Sequence, residues 1–332
     1  MAAIALRSPQ YKSDVADTGT PKSAKITISI DGTIQYTLVK STSLNETMLW
    51  EIAELCRDYI DIAFNGTYTA ETLAIISTLT SHASTDGSGT ALTTSTITDI
   101  GYDGYGTFME GSNPTVPFGS RPTWLISGDP DHTTADNEYY IYAPVGTASE
   151  IPYIIANETM GYNSYGANDT ELTGTPAGVK MNIIRIDCTK YGNGHKITFV
   201  NKFGALQDLW FFLKSVNTTN KKQEQFQRNI VTSTGTYNVN THTKQDYNTV
   251  ANTSITLSSG YYPEWCNQWF EQLLLSEQVW LTRLDPTNPN ATQYVPVNVR
   301  KNNIVKKTSL NDKLIDYTFD FNMSFDYINN IR

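Results

Sequence analysis

Ile315-Asp316-Tyr317-Thr318-Phe319-Asp320-Phe321-Asn322-Met323-Ser324-Phe325-Asp326-Tyr327 decides the fold class. Seven apolar side chains alternate with six polar ones, the period of a strand whose successive side chains point to opposite faces. Such a strand buries one face and wets the other, as in an antiparallel sheet packed on one side. The apolar face needs a cover, because a contiguous exposed apolar row invites association. The nearest matching element is residues 263–276, where Pro263 stands at a first turn and Trp265, Trp269, Phe270, Leu273 and Leu274 recur at helical spacing. The spacing predicts a helix over 263–276 that lays Trp265, Trp269 and Leu273 on Phe319, Phe321 and Phe325.

Working toward the N-terminus, strand patterns fall at Tyr294–Val299, Val279–Leu284, Leu209–Leu213, Lys196–Val200, Met181–Cys188, Pro152–Ile155 and Tyr139–Tyr142, with a Gly/Asn/Thr loop at 161–178. Ile26, Ile28 and Ile30 alternate with polar residues, then Asp31-Gly32, then Ile34, Tyr36 and Leu38 alternate again. Two period-2 runs around Asp-Gly predict a hairpin closed by a type I′ turn, since both central residues need positive φ. Leu49, Ile52, Leu55, Cys56 and Tyr59 fall at helical spacing and predict a short amphipathic helix over 48–58. Residues 101–137 lose all periodicity and contain Pro114, Pro117, Pro122 and Pro130, the composition of a linker or a functional loop. A free subunit is expected to leave it poorly ordered. The chain thus reads as mainly β: two β-sandwich-like domains, each with a short helix, at 1–110 and 138–332, joined by an irregular linker at 111–137.

Composition narrows the function. Charged residues are 17% and aromatics 11% of the 332, with 20 Tyr against 12 Phe. A disordered chain is poor in aromatics, so a folded one is expected. The net charge of −9 argues against a nucleic-acid partner, which needs a basic stripe. No apolar run approaches a membrane span, and Met1–Gln10 has no apolar stretch of the kind a secretory signal needs. Cys56, Cys188 and Cys266 form no CxxC pair and read as small core residues. The sequons at Asn45, Asn65, Asn157 and Asn217 would matter only in a secretory pathway.

Catalytic and metal templates fail on their spacing. Gly101–Gly106 has no GK[ST] and no helix pattern behind it, so it reads as a turn and not a phosphate loop. His82, His132, His195 and His242 lack HExxH or HxH spacing and read as surface or loop histidines. Asp129-Pro130-Asp131-His132 lacks the further oxygens of a calcium loop. No GxSxG pentapeptide occurs. A glycan-cleaving enzyme would need two carboxylates about 5–10 Å apart in a cleft. Neither catalysis, cofactor nor metal is expected. The candidate interface residues are Tyr102 and Tyr105 in the 101–137 loop and Asp320 and Asn322 on the wet face of the terminal strand.

Several segments carry a resemblance. These are Arg57-Asp58-Tyr59 after a short helix, Gly101-Tyr102-Asp103-Gly104-Tyr105-Gly106, and Asn201-Lys202-Phe203-Gly204 before an aromatic strand. The tryptophan-rich helix, Tyr294-Val295-Pro296-Val297, Lys307-Thr308 and Asn311-Asp312 follow in order. Together they resemble tail-associated structural proteins of tailed bacteriophages, of the tail tip or baseplate, and the C-terminal half resembles the plan of distal-tail and minor tail proteins. The resemblance implies a virion component of the tail that assembles into a ring with its own copies and with other virion proteins. The alternative is an adhesin that recognises a host receptor or surface glycan through exposed tyrosines in loops 101–137 and 161–178.

Overall fold

The computed structural model describes residues 2–14, 22–42, 46–114, 122–128, 138–155, 159–187, 194–284, 292–306 and 314–326. Among these residues strands hold 52% and helical turns 7%, so the fold is mainly β, with several sheets. Its elements run β1 (Ala2–Ala5), β2 (Tyr11–Ser13), β3 (Lys22–Ile30), β4 (Thr33–Thr42), β5 (Leu49–Glu51), α1 (Ala53–Arg57), β6 (Leu73–His82) and β7 (Ala91–Tyr102). Next come β8 (Thr123–Trp124), β9 (Glu138–Pro144), β10 (Ser149–Ile154), β11 (Met160–Tyr165), β12 (Glu171–Leu172), β13 (Lys180–Ile186), β14 (His195–Val200) and β15 (Leu206–Phe211). The last third holds β16 (Ser215–Gln227), β17 (Lys244–Ser258), β18 (Tyr262–Pro263), α2 (Asn267–Leu275), β19 (Val279–Leu284), β20 (Thr292–Val299), β21 (Leu314–Ile315) and β22 (Thr318–Met323).

The first sheet has the order β1-β7-β6-β3-β4. Its hairpin turns where Asp31-Gly32 predicts, with φ of 47° and 83° at the two residues. Ile26, Ile28 and Ile30 of β3 are buried against Trp50, Ile52 and Cys56. The helix expected at 48–58 is shorter. Leu49–Glu51 instead pair as β5 with β2, leaving α1 a single turn. β4 also departs from expectation: as the outermost strand it leaves Ile34 65% and Leu38 37% exposed.

A seven-stranded sheet, β15-β14-β19-β20-β22-β17-β16, organises the second half. The terminal alternation is real, with Ile315, Tyr317, Phe319, Phe321 and Met323 all buried. It is not one strand, however. β21 pairs with β18, the backbone leaves the ladder at 316–317, and β22 then pairs with β17 and β20. Phe325, expected on the buried face, is 48% exposed because it lies past the end of β22, and Tyr327 lies outside the described residues.

The aromatic helix forms as a 3₁₀ turn (Glu264–Cys266) running into α2. Its contacts differ from the expected set. Phe270 stacks on Phe319 at 6.0 Å and meets Tyr317 at 4.9 Å. Trp269 faces Tyr142 of β9 at 6.4 Å and Tyr262 at 6.3 Å. A 3₁₀ turn advances about 120° per residue against about 100° in an α-helix, which turns the stripe. Trp269 and Phe270 thus meet different sheets while sharing Tyr262 between them, and the helix fills the space between two sheets.

Residues within the segment expected to be an irregular linker are structured. Thr123–Trp124 pair with β10, and Trp124, Leu125 and Ile126 are buried. The expected loop at 161–178 contains β11 and β12 for the same reason, pairing with β10 and β13. Besides one core under each main sheet, a third gathers Ala3, Ala5, Tyr102, Leu125, Ile154 and Phe203, and a fourth gathers Ile62, Phe64, Val200, Leu206 and Trp280.

Candidate functional site

Three places concentrate chemistry-bearing side chains. The first is where the quoted motifs meet. Arg57 Nε donates to Asp103 Oδ1 at 3.2 Å and its Nη2 to Glu277 Oε2 at 2.6 Å; Arg7 Nη2 also reaches Glu277, at 3.1 Å. The Tyr105 amide donates to the Lys202 carbonyl at 2.9 Å. Asn201 organises the other side: its Oδ1 accepts from the amides of Phe203 and Ala205, and its Nδ2 donates to the Leu125 carbonyl. Burial raises the Asp103 carboxyl, with Arg7 and Arg57 opposing it. The junction ties three distant segments together, and both guanidinium groups are already paired within the chain.

Tyr102 does not serve as a surface contact: it is 0% exposed, inside the third core. Tyr105 is half-buried, with the Arg7 guanidinium 5.5 Å from its ring centroid, and burial pushes its phenol up to about 12. Of the loop tyrosines at 161–178, Tyr165 is also buried, and the Tyr162 hydroxyl accepts from the Leu206 amide.

The second place is a polar cluster that spacing does not reveal. Tyr68 Oη donates to Asp208 Oδ2 at 2.6 Å, Thr198 Oγ1 donates to Asp208 Oδ1 at 2.6 Å, and Ser149 Oγ also donates to Asp208. Lys196 Nζ donates to Tyr68 Oη at 2.9 Å and to Ser149 Oγ at 3.1 Å, and lies 3.4 Å from Asp208. A serine hydroxyl beside a lysine is the pair a nucleophile needs. Here, though, the lysine donates to the serine and pairs with a carboxylate, so it is an ammonium with no lone pair to take the proton. Burial and the neighbouring Asp208 raise the Tyr68 phenol well above its ordinary value. The adjoining cavity, lined by Asp208, Glu150 and Gln207, holds about 20 Å³. That is room for one water and not for a sugar ring. The cluster clips Tyr68 to β10, β14 and β15. Among the described residues no group of three or more His, Cys, Asp or Glu could hold a metal ion. No helix among them is long and apolar enough to cross a membrane.

The third place is the β16–β17 hairpin. β22 pairs with β17 only from Ser254 to Ser258, whereas β16 and β17 continue together from Ser215/Leu257 to Gln227/Lys244. Beyond Ser254 no third strand pairs with the two among the described residues. Ala251 stays buried and Asn252 Nδ2 reaches the Met323 carbonyl, and the five residues of β17 from Lys244 to Asn248 stand exposed, about 16 Å of strand. All thirteen residues of β16 are exposed. A bulge at Lys222/Glu224 twists the arm, and Phe226 packs edge-on against Tyr247 at 5.7 Å. The tip is closed by Arg228 N–H to the Thr243 carbonyl and by Thr232 N–H to the Thr236 carbonyl. Val231, Tyr237 and Val239 stand 52%, 61% and 82% exposed there.

Asp320 and Asn322 lie on β22 next to the base of this arm. Asp320 is exposed and accepts from Thr256 Oγ1; Asn322 is half-buried and pairs in register with Ser254 and Asn298. The four histidines do not converge: His82 is 5% exposed at the end of β6, contrary to its loop-like sequence, while His195 lies in β14 and His242 is exposed in the arm tip. His132 lies outside the described residues, as does Cys188; Cys56 and Cys266 are buried free thiols. Comparison with protein-family models, with curated proteins and with solved structures finds no match to this chain.

Proposed function

We propose that this chain is a structural subunit of a tailed-bacteriophage virion, placed in the tail, which works by assembling with its own copies and with other virion proteins. It is organised as two β-sandwich-like units. The observation that supports this reading is the exposed β16–β17 arm. A two-stranded hairpin alone is marginal in water, and it presents unpaired N–H and C=O groups along both edges. Strands of thirteen and fifteen residues whose far ends leave the body of a protein find their stability in a partner. The sequence resemblance points the same way, to a tail protein whose job is contact.

The adhesin reading rested on loop tyrosines, and Tyr102 and Tyr165 are buried. Assembly is therefore the reading we carry forward. Its test is the mass of the purified full chain, followed by light scattering over a wide concentration range. Oligomers of one discrete stoichiometry are expected. A chain that stays monomeric at every concentration, and that neither binds nor enters particles of a phage encoding it, would overturn the proposal.

A further inference from the structure

The arm is basic in an acidic protein. Residues 214–247 carry Lys214, Lys221, Lys222, Arg228 and Lys244 against Glu224 and Asp246, within a chain of net charge −9. Two such arms repel one another, since like charges facing across paired strands are destabilising. An arm therefore needs an edge of the opposite sign.

The first sheet offers one. β4 is its last strand, ten residues long, and no strand lies outside it among the described residues. In register, Leu38 faces Ile26 and Tyr36 faces Ile28, so the apolar face of the sheet runs on from the buried β3 row into β4. There it lies open at Leu38, 37% exposed, while Ile34, 65% exposed, pairs with Ser29 past a bulge and stands on the other face of the same edge. The segment packed under that edge is acidic on balance: Tyr59 donates to Gln35 of β4, Glu54, Asp58 and Asp61 are exposed, and Arg57 is taken up by Asp103 and Glu277. β4 itself carries one cation, Lys40, which donates to the Leu49 carbonyl. The edge thus joins three properties: unpaired backbone, an unfinished apolar row and negative charge. The arm has the complement of each: unpaired backbone over a similar length, exposed Phe226, Tyr237 and Val239, and positive charge.

We infer that the β16–β17 arm of one copy docks along the β4 edge of a second copy and extends its first sheet by strand addition. The inference rests on the assembly reading above and names the contact that would carry it. Main-chain hydrogen bonds supply affinity in such pairing, and side chains on alternate positions supply register. Donor and acceptor are different surfaces, so the contact is head-to-tail. It closes into a ring or runs on as a filament according to the rotation between copies. The charge contrast makes it weaken as salt shortens the screening length.

Complementation in the full chain tests this. In an arm-short variant, residues 223–249 are replaced by Asn-Gly, joining Lys222 to Val250, which already face each other across the hairpin. An edge-blocked variant carries Ile34→Lys and Leu38→Lys; Gln35→Lys with Thr37→Lys, at exposed sites, is a second blocking pair. Far-UV circular dichroism and thermal melts establish that each is folded. Each variant alone should be monomeric, and an equimolar mixture should double in mass, because one supplies the arm and the other the edge. Wild-type stoichiometry in both edge-blocked variants would overturn the inference and leave the assembly reading standing. So would a mixture that stays monomeric although wild type assembles. A wild type that never self-assembles overturns the inference, and one that also neither binds nor enters particles of a phage encoding it overturns both.

Discussion

Gly104 and Gly204 lie backbone to backbone. A Cβ on Gly104 would fall 2.7 Å from the Lys202 carbonyl oxygen, and one on Gly204 would fall 2.8 Å from the Asp103 amide nitrogen. Two loops a hundred residues apart in sequence therefore need glycine for the same reason: no side chain fits between them.

Gly204 also has a φ of +79°, a left-handed conformation that costs an L-residue about 1–2 kcal/mol. Adding the overpacking, Gly204→Ala should destabilise the chain by about 2–4 kcal/mol. Gly104→Ala should cost less, having only the clash. Urea unfolding of the two variants checks the order; equal and negligible losses would mean that the loops do not touch.

Trp269 and Phe270 should both be costly to remove, because both are buried and each fills space against a different sheet. Each alanine variant should lose about 3–5 kcal/mol. Asp320→Ala, on an exposed face, should stay within about 0.5 kcal/mol of wild type. Thermal melts of the full chain compare the three, and a normal melt for Trp269→Ala would put that side of the helix in solvent.

In the polar cluster, Asp208→Ala strands the Lys196 ammonium among groups that only partly compensate it. The expected loss is about 3–5 kcal/mol, the range for breaking a buried pair from one side. Replacing both charges, by Lys196→Met with Asp208→Leu, should recover most of it. If the double variant is as unstable as the single one, the cluster's value lies in its hydrogen bonds to Tyr68 and Thr198 and not in charge balance.

His195 carries a pH signature. Burial lowers its pKa below the ordinary 6.5, so the unfolded chain binds the proton more readily. Above that pH the group is neutral in both states and contributes nothing. As pH falls through 6.5 the unfolded state gains protons first, and stability drops until the folded pKa is reached. His195→Gln should flatten this part of the stability–pH curve and leave the curve above about pH 7.5 in place. A parallel decline in variant and wild type would assign the slope to other groups.

The elements legible in the sequence were those with a one-sided environment. Ile26–Ile30 and Phe319–Met323 alternate because one face of each is buried, and Asp31-Gly32 is read from its backbone requirement alone. The arm was invisible for the converse reason. Ser215–Gln227 is exposed on both faces, so all its residues but Val216 and Phe226 are polar and leave no period to detect. Tyr102 misled because glycines on either side signal a loop, whereas its ring closes a core built with Phe203 and Leu125. Ser149, Lys196 and Asp208 stand on three strands, and only pairing between distant segments brings them together.

The fourth core has a consequence for synthesis. Every strand of the first sheet lies before residue 103, so that sheet can form while most of the chain is still unmade. Ile62 and Phe64, in the middle of it, have their partners at Val200, Leu206 and Trp280. At roughly 5–20 residues per second, Trp280 follows Phe64 by about 10–40 s of translation. During that interval these two apolar side chains, and for part of it Tyr102 as well, face water beside a sheet whose strands are already made, and the nascent chain is at its most adhesive before its last third emerges.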